Sequence, residues 1–172
     1  MTGTDGLPLL FLDVDGPLIP FGPRPGGHPV YPGGPLPAGA GGHPLIARID
    51  PALGPRLASL ACEPVWATTW EGEANAVVAP RLGLPELRVV MWPAPSEEEE
   101  RDVRAGLHWK TRTLVGWAAG RAFAWVDDEI TDRDRRWVAA HHDGPALLHR
   151  VDPGLGLTDS GIRLLDNWLR AV

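Results

Sequence analysis

The sequence predicts an α/β fold in which helices cover both faces of a five-stranded parallel sheet. Short apolar runs alternate along the chain with amphipathic stretches of helical period, the pattern that parallel strands joined by helices produce. The chain has 172 residues, which suits one domain with a substantial core. Its composition, 44% hydrophobic and 22% charged, is that of an ordinary globular protein. We therefore expect a single domain over residues 1–172.

Each strand is predicted from an apolar run that a turn or a helix signal closes. These runs occupy residues 9–12, 65–70, 87–92, 122–126 and 146–151. The first helix is expected to begin at Asp50 and Pro51 and to close at Glu63 and Pro64, and the second covers residues 73–82 and stops at Gly83. The later helices are marked by Ser96 with Glu99, by the segment from Lys110 to Gly120, by Thr131 and by Thr158.

A long segment rich in glycine and proline follows the first strand. Residues 16–44 contain nine glycines, nine prolines and no acidic side chain, which excludes a long helix or a central strand. Because long loops inside compact domains usually have a function, we expect this segment to form a flap beside the functional site. A short hairpin is expected within it, pairing residues 18–19 with residues 30–31. A surface insertion without function is the alternative.

Charge and cysteine content limit the class of function. The net charge of −6 argues against general affinity for nucleic acid, which needs clustered basic surface, although a local basic pocket remains compatible with it. The single cysteine, Cys62, cannot form an internal disulfide, and no stretch resembles a signal peptide or a membrane span. A cytoplasmic location without membrane contact is therefore expected.

Acidic, hydroxyl and ammonium side chains lie where the predicted strands end or a helix begins. They are Asp13, Asp15, Thr68, Lys110, Asp127 and Asp128. Because Asp13 and Asp15 alternate to the same side of an extended chain, they can share one divalent metal ion. Lys110 is the single lysine among 16 basic residues. Several carboxylates with one hydroxyl and one ammonium describe a metal-assisted phosphoryl-transfer site, in which positive charge neutralises the phosphate oxygens.

These residues resemble, in order and in placement, the four motifs of the haloacid-dehalogenase (HAD) superfamily. Residues 13–16 are similar to the first motif, Thr68 to the second, Lys110 to the third, and Asp127 with Asp128 to the fourth. The resemblance covers essentially the whole chain and, more narrowly, is to the HAD domain of bacterial RNA-repair proteins. It implies a Rossmann-like three-layer α/β/α fold with strand order 3-2-1-4-5. The spacing between the motifs leaves no room for a large cap domain.

The resemblance also implies a catalytic role for each residue. Asp13 would attack phosphorus and form an aspartyl-phosphate, while Asp15 would protonate the leaving oxygen and then activate water. Thr68 or Thr69 would hydrogen-bond a phosphoryl oxygen. Lys110 would bridge the phosphate and Asp13.

Magnesium is the implied cofactor. Its ligands would be Asp13, the main-chain carbonyl of Asp15, and Asp127 or Asp128, with water and substrate completing an octahedron. The expected activity is Mg²⁺-dependent hydrolysis of phosphate monoesters, with a small molecule, a nucleotide or a nucleic-acid end as substrate. The flap or a second subunit in a homodimer would close the open site.

Other activities are compatible with the same fold. A phosphotransferase or phosphomutase uses the same aspartyl-phosphate, whereas a 2-haloacid dehalogenase needs neither a protonating acid nor a metal. A binding module without catalysis is the alternative of another class. Trp70, Trp92 and Trp109 lie near predicted strand ends or beside Lys110, where they could stack on a flat leaving group or simply pack.

Overall fold

The chain forms a five-stranded, all-parallel sheet in the order β3-β2-β1-β4-β5. The structure is a computed structural model that describes residues 6–32 and 43–172. The strands are β1 (Leu9–Leu12), β2 (Glu63–Trp66), β3 (Arg88–Val89), β4 (Phe123–Asp127) and β5 (Ala146–Arg150). The predicted fold class and strand order are thus confirmed, and no large cap interrupts the part of the chain that the structure describes.

Six α-helices connect or follow these strands within the described residues. They are α1 (Leu53–Ala58), α2 (Ala79–Leu82), α3 (Glu97–Arg104), α4 (Thr111–Ala118), α5 (Asp132–His141) and α6 (Asp159–Leu169). A 3₁₀ turn covers Ile46–Arg48, and a π-helical turn, Ala74–Val78, leads into α2. The predicted caps Ser96, Thr131 and Thr158 each accept a backbone hydrogen bond at the start of their helix.

The core lies on both faces of the sheet, as a three-layer fold requires. The alternation along β1 divides it: Leu10 and Leu12 belong to one apolar cluster, and Leu9 and Phe11 belong to the other. The first cluster includes buried residues of α1, α2 and α6, and the second includes residues of α4 and α5. Helix α3 contributes no buried residue to either cluster.

Several predicted boundaries differ from those observed. Glu63 and Pro64 begin β2 instead of closing a helix, and the strand ends at Trp66 rather than at residue 70. Pro64 is tolerated because β3 pairs only with Val65 and Trp66, so no neighbour on that side requires its missing N–H. The first helix begins at Leu53, two residues after Pro51, and the third strand contracts from residues 87–92 to Arg88–Val89.

The first part of the predicted flap belongs to the core. Leu18 and Ile19 are buried, and the N–H groups of both donate to the carbonyl of Val14 at 3.0 Å. The predicted hairpin is wrong: Ile19 bridges to Asp15, while Tyr31 donates its N–H to the carbonyl of Ala47 at 2.8 Å. Residues 18–19 therefore bond back to residues 14–16 in a tight turn rather than to residues 30–31. Residues 33–42 of the predicted flap lie outside the described residues.

None of the helices in the described ranges combines the length and the apolar character needed to cross a membrane.

Candidate active site

The carboxyl ends of two neighbouring strands bring the predicted acidic residues together. Strands β1 and β4 pair with Leu12 opposite Val126, so the residues that follow them, Asp13 and Asp127, are neighbours at the same edge of the sheet. The N–H of Asp13 donates to the carbonyl of Val126 at 3.1 Å. Ligand sites in open α/β sheets lie at this edge.

Lys110 joins these two carboxylates. It is the N-cap of α4 and is 3% exposed, and its Nζ lies 3.1 Å from Oδ2 of Asp13 and 2.8 Å from Oδ2 of Asp127. Burial works to lower the pKa of Lys110, but the two carboxylates outweigh this effect and raise it. The lysine is therefore a fixed positive charge at the rim of the sheet.

Asp13 is a buried carboxylate whose negative charge is only partly compensated. Its Oδ1 accepts the N–H of Val14 at 2.8 Å. Burial raises the pKa of Asp13 to about 7, an effect that Lys110 opposes and Asp127 reinforces. Burial, with the charge of Asp127, also raises the pKa of Asp128.

Three carboxylates form a group that could hold a cation. One oxygen each from Asp13, Asp127 and Asp128 lies within 4.8 Å of the others. Gly16 permits this approach: it has φ 96°, and a Cβ built on it would lie 2.7 Å from Cγ of Asp128. Three carboxylates against one ammonium leave an excess of negative charge, and oxygen donors are the ligands that Mg²⁺ prefers. The residues present therefore fit a divalent cation.

The side chain of Asp15 has a different partner. Its Oδ2 accepts the indole N–H of Trp70 at 3.0 Å, and the residue is not a member of the three-carboxylate group. The expectation that Asp13 and Asp15 share a metal through their side chains stays a prediction, and in this structure the carboxylate of Asp15 is bonded to Trp70 instead. Both aspartates lie beyond the last residue of β1, Leu12, so regular strand alternation does not govern their side chains.

The two threonines after β2 occupy different environments. Thr68 is fully buried; its Oγ1 accepts the N–H of Trp70 at 3.2 Å, and its carbonyl accepts the indole N–H of Trp92 at 3.0 Å. Thr69 is exposed and lines the cavity above the carboxylates. Which of the two hydroxyls would contact a phosphate therefore stays open, and the cavity wall favours Thr69.

The predicted residues surround a cavity of about 220 Å³. It is lined by Asp13, Asp15, Phe21, Thr69, Trp109, Lys110, Asp128 and Glu129. Phe21 of the predicted flap lines the cavity, and the ring of His43 lies 4.7 Å from that of Trp70, whose indole N–H donates to Asp15. The site thus has four carboxylates, an ammonium and a hydroxyl around a space of small-molecule size.

A histidine that none of the sequence motifs marks, His108, also lies at this site. Nδ1 of His108 accepts the N–H of Lys110 at 3.1 Å, which leaves the ring proton on Nε2. Nε2 lies 3.3 Å from Oε2 of Glu129 and 4.0 Å from Oδ1 of Asp127. The position of His108, two residues before the lysine, was the available signal.

Asp134 anchors the segment that carries Lys110. Its carboxylate accepts the N–H of His108 and the hydroxyl of Thr111, both at 2.8 Å, and it completes the capping box of α5 with Thr131. Burial works to raise the pKa of Asp134, but the hydrogen bonds from Thr131, His108 and Thr111 hold it below its usual value.

Comparison of the chain with family models, with curated proteins and with solved structures found no match.

Proposed function

We propose that this protein is a Mg²⁺-dependent phosphatase of the HAD type, which hydrolyses phosphate monoesters through an aspartyl-phosphate on Asp13. The observation that carries the proposal is the placement of Lys110, whose ammonium lies between Asp13 and Asp127 at 3.1 and 2.8 Å. An ammonium in this position neutralises the repulsion between an anionic nucleophile and a phosphate dianion.

The lysine has a donor available for the substrate. An ammonium has three N–H donors, and Asp13 and Asp127 account for two of them. The third can bind a phosphoryl oxygen in the cavity, which Lys110 lines. A phosphate held in this way lies beside the carboxylate of Asp13, so that nucleophile and electrophile meet with little further ordering.

Asp13 and Asp15 divide the chemistry. In the first step an oxygen of Asp13 attacks phosphorus, the bond from phosphorus to the leaving oxygen breaks, and Asp15 gives that oxygen a proton. In the second step Asp15 takes a proton from water, whose oxygen attacks phosphorus and releases Asp13. The indole N–H of Trp70 holds Asp15 on the wall of the cavity for both steps.

Asp13, Asp127 and Asp128 are the side chains that would hold Mg²⁺. When bound, the cation neutralises phosphoryl oxygens and favours the ionised form of Asp13, whose pKa burial otherwise raises to about 7. Halide displacement from carbon needs neither a metal site nor a protonating acid. The group of three carboxylates and the placement of Asp15 therefore favour phosphate hydrolysis over that reaction. A phosphotransferase would use the same groups and differs only in the acceptor of the second step.

The test is hydrolysis of an aryl phosphate with and without Mg²⁺. Wild-type activity should require Mg²⁺, and Asp13→Asn should reduce it by at least about a thousandfold, as expected when a nucleophile is removed. Asp143→Asn is the matched control, because Asp143 is an exposed carboxylate between α5 and β5. Equal turnover by wild type and Asp13→Asn, or turnover that does not depend on Mg²⁺, would refute the proposal.

A further inference from the structure

A second, larger cavity lies beside the candidate active site, between α3 and two tryptophans. Its volume is about 540 Å³. It is lined by Trp92, Pro93, Pro95, Glu99, Glu100, Val103, Arg104, Trp109 and Thr113, and we call it the aromatic pocket. Cavities of this size and apolar character are typical of sites for small organic molecules.

The aromatic pocket adjoins the proposed phosphate site. Trp109 lines both cavities. Nζ of Lys110 lies 5.6 Å from the ring centre of Trp109 and 6.0 Å from that of Trp92. The group esterified to a phosphate on Lys110 could therefore reach both aromatic rings.

The tryptophan rings are held in place. The indole N–H of Trp92 donates to the carbonyl of Thr68 at 3.0 Å. The rings of Trp92 and Trp109 meet edge to face at 4.8 Å between centres. Trp109 is 39% exposed, so part of its ring remains available to a ligand.

Helix α3 is not packed against the rest of the protein through apolar side chains. No residue of the helix is buried, and its one apolar residue, Val103, is 47% exposed and lines the pocket. The helix is attached instead by charge, since Arg112 on α4 forms ion pairs with Glu98 and Asp102. A helix held in this way leaves room between itself and the tryptophans.

We propose that the aromatic pocket binds the leaving group of the substrate, and that the substrate is a small phosphate monoester of a flat, uncharged aromatic group. The inference rests on the proposed phosphatase function, because the phosphate on Lys110 sets the position of the leaving group. Flat rings can pack on Trp109 and Trp92, and Val103 adds a further apolar contact in the same lining.

Charge favours a small substrate over a nucleic-acid end. The first turn of α3 consists of Glu97, Glu98, Glu99 and Glu100, of which the last two line the pocket. The guanidinium of Arg104, the one cation in the lining, lies 3.7 Å from Glu100. An oligonucleotide would bring several phosphates toward these carboxylates, whereas a monophosphate brings only the group that Lys110 binds.

The test compares phenyl phosphate with naphthyl phosphate, whose leaving groups have similar acidity but differ by one fused ring. The apolar area of that ring should lower KM for naphthyl phosphate about tenfold with little change in kcat. Val103→Glu should abolish this preference, so that the KM values for the two substrates become equal. Ala105→Glu, which adds the same charge at an exposed residue outside the pocket lining, should keep the preference.

Calorimetric titration with naphthol, which has no phosphate, separates the two proposals. Binding to wild type and to Ala105→Glu, but not to Val103→Glu, supports the pocket even in a protein without phosphatase activity. If naphthol binds in this pattern but no phosphate monoester is hydrolysed, the phosphatase proposal fails and the pocket proposal stands as naphthol binding alone. Turnover of phenyl phosphate without naphthol binding, or equal behaviour of the two variants, overturns the pocket. Circular dichroism of both variants, together with Val103→Ser as a milder change, controls for folding.

Discussion

Replacing Asp13 with asparagine should stabilise the folded protein when divalent cations are absent, although it removes the proposed nucleophile. Burial raises the pKa of Asp13 from 3.8 to about 7. The folded protein therefore binds one more proton than the unfolded chain between these pH values, and its stability falls as the pH rises through that range. Asparagine carries no charge at any pH and avoids this loss.

The size of the effect follows from the same values. The difference between 3.8 and about 7 corresponds to roughly 4 kcal/mol once Asp13 is fully ionised. The attraction of Lys110, at 3.1 Å, is already contained in the pKa of about 7. We expect Asp13→Asn to raise the free energy of unfolding by about 2–4 kcal/mol above pH 8, and the two proteins to be equally stable near pH 4.

Urea unfolding provides the assay, followed by the fluorescence of the eight tryptophans in a chelating buffer. Mg²⁺ at one thousand times its Kd should reverse the order, because a ligand at that concentration stabilises the protein that binds it by about 4.1 kcal/mol. Asp143→Asn should follow the wild type under all conditions. A metal-free Asp13→Asn protein that is less stable than wild type at pH 8 would refute the view of Asp13 as an uncompensated buried carboxylate.

Two further substitutions test how the site is built. Gly16→Ala should lower the free energy of unfolding by about 1–2 kcal/mol and weaken Mg²⁺ binding, because the residue has φ 96° and its Cβ would lie 2.7 Å from Cγ of Asp128. Calorimetry against Gly72→Ala, where a Cβ meets nothing within 4 Å, checks this, and equal affinities would contradict it. Asp134→Asn should cost about 1–3 kcal/mol at neutral pH through its lost hydrogen bonds. Because the pKa of Asp134 lies below its usual value, the ionised side chain stabilises the folded protein above the pKa of the unfolded chain, and this stabilisation is lost as the pH falls through the lowered value. Urea unfolding of both proteins at several acidic pH values measures this. A difference in the free energy of unfolding that does not change with pH would contradict it.

The residues that sequence analysis could bring together are those whose position follows from the backbone. Asp13 directly follows β1 and Asp127 is the last residue of β4, and neighbouring parallel strands end at the same edge whatever their side chains are. Lys110 begins a helix that packs on one face, so its reach toward that edge was also predictable. Strand order followed from the resemblance rather than from any property of the strands themselves.

Contacts between side chains from distant parts of the chain were not predictable. The bond from Trp70 to Asp15 joins residues 55 positions apart, and no pattern of period or spacing marks it. The same holds for Asp134, which accepts from His108 across 26 positions. The start of β2 was not predictable because it depends on the length of a neighbouring strand. A proline is excluded from a strand that is paired on both sides, but β3 is too short to pair with Pro64.

Arginines neutralise a partly buried carboxylate elsewhere in the molecule but not at the candidate site, and this difference favours a functional role for the site. The chain has 15 arginines, and two of them, Arg88 and Arg121, form salt bridges with Glu63. Burial works to raise the pKa of Glu63, but the hydrogen bonds from these arginines hold it below its usual value. Among the salt bridges of the described residues, none joins an arginine to Asp13 or to its two partners in the carboxylate group. A purely structural cluster would be more stable with such a guanidinium. The excess negative charge therefore lowers the stability of the empty site, and a divalent cation together with a phosphate is the combination that would offset it.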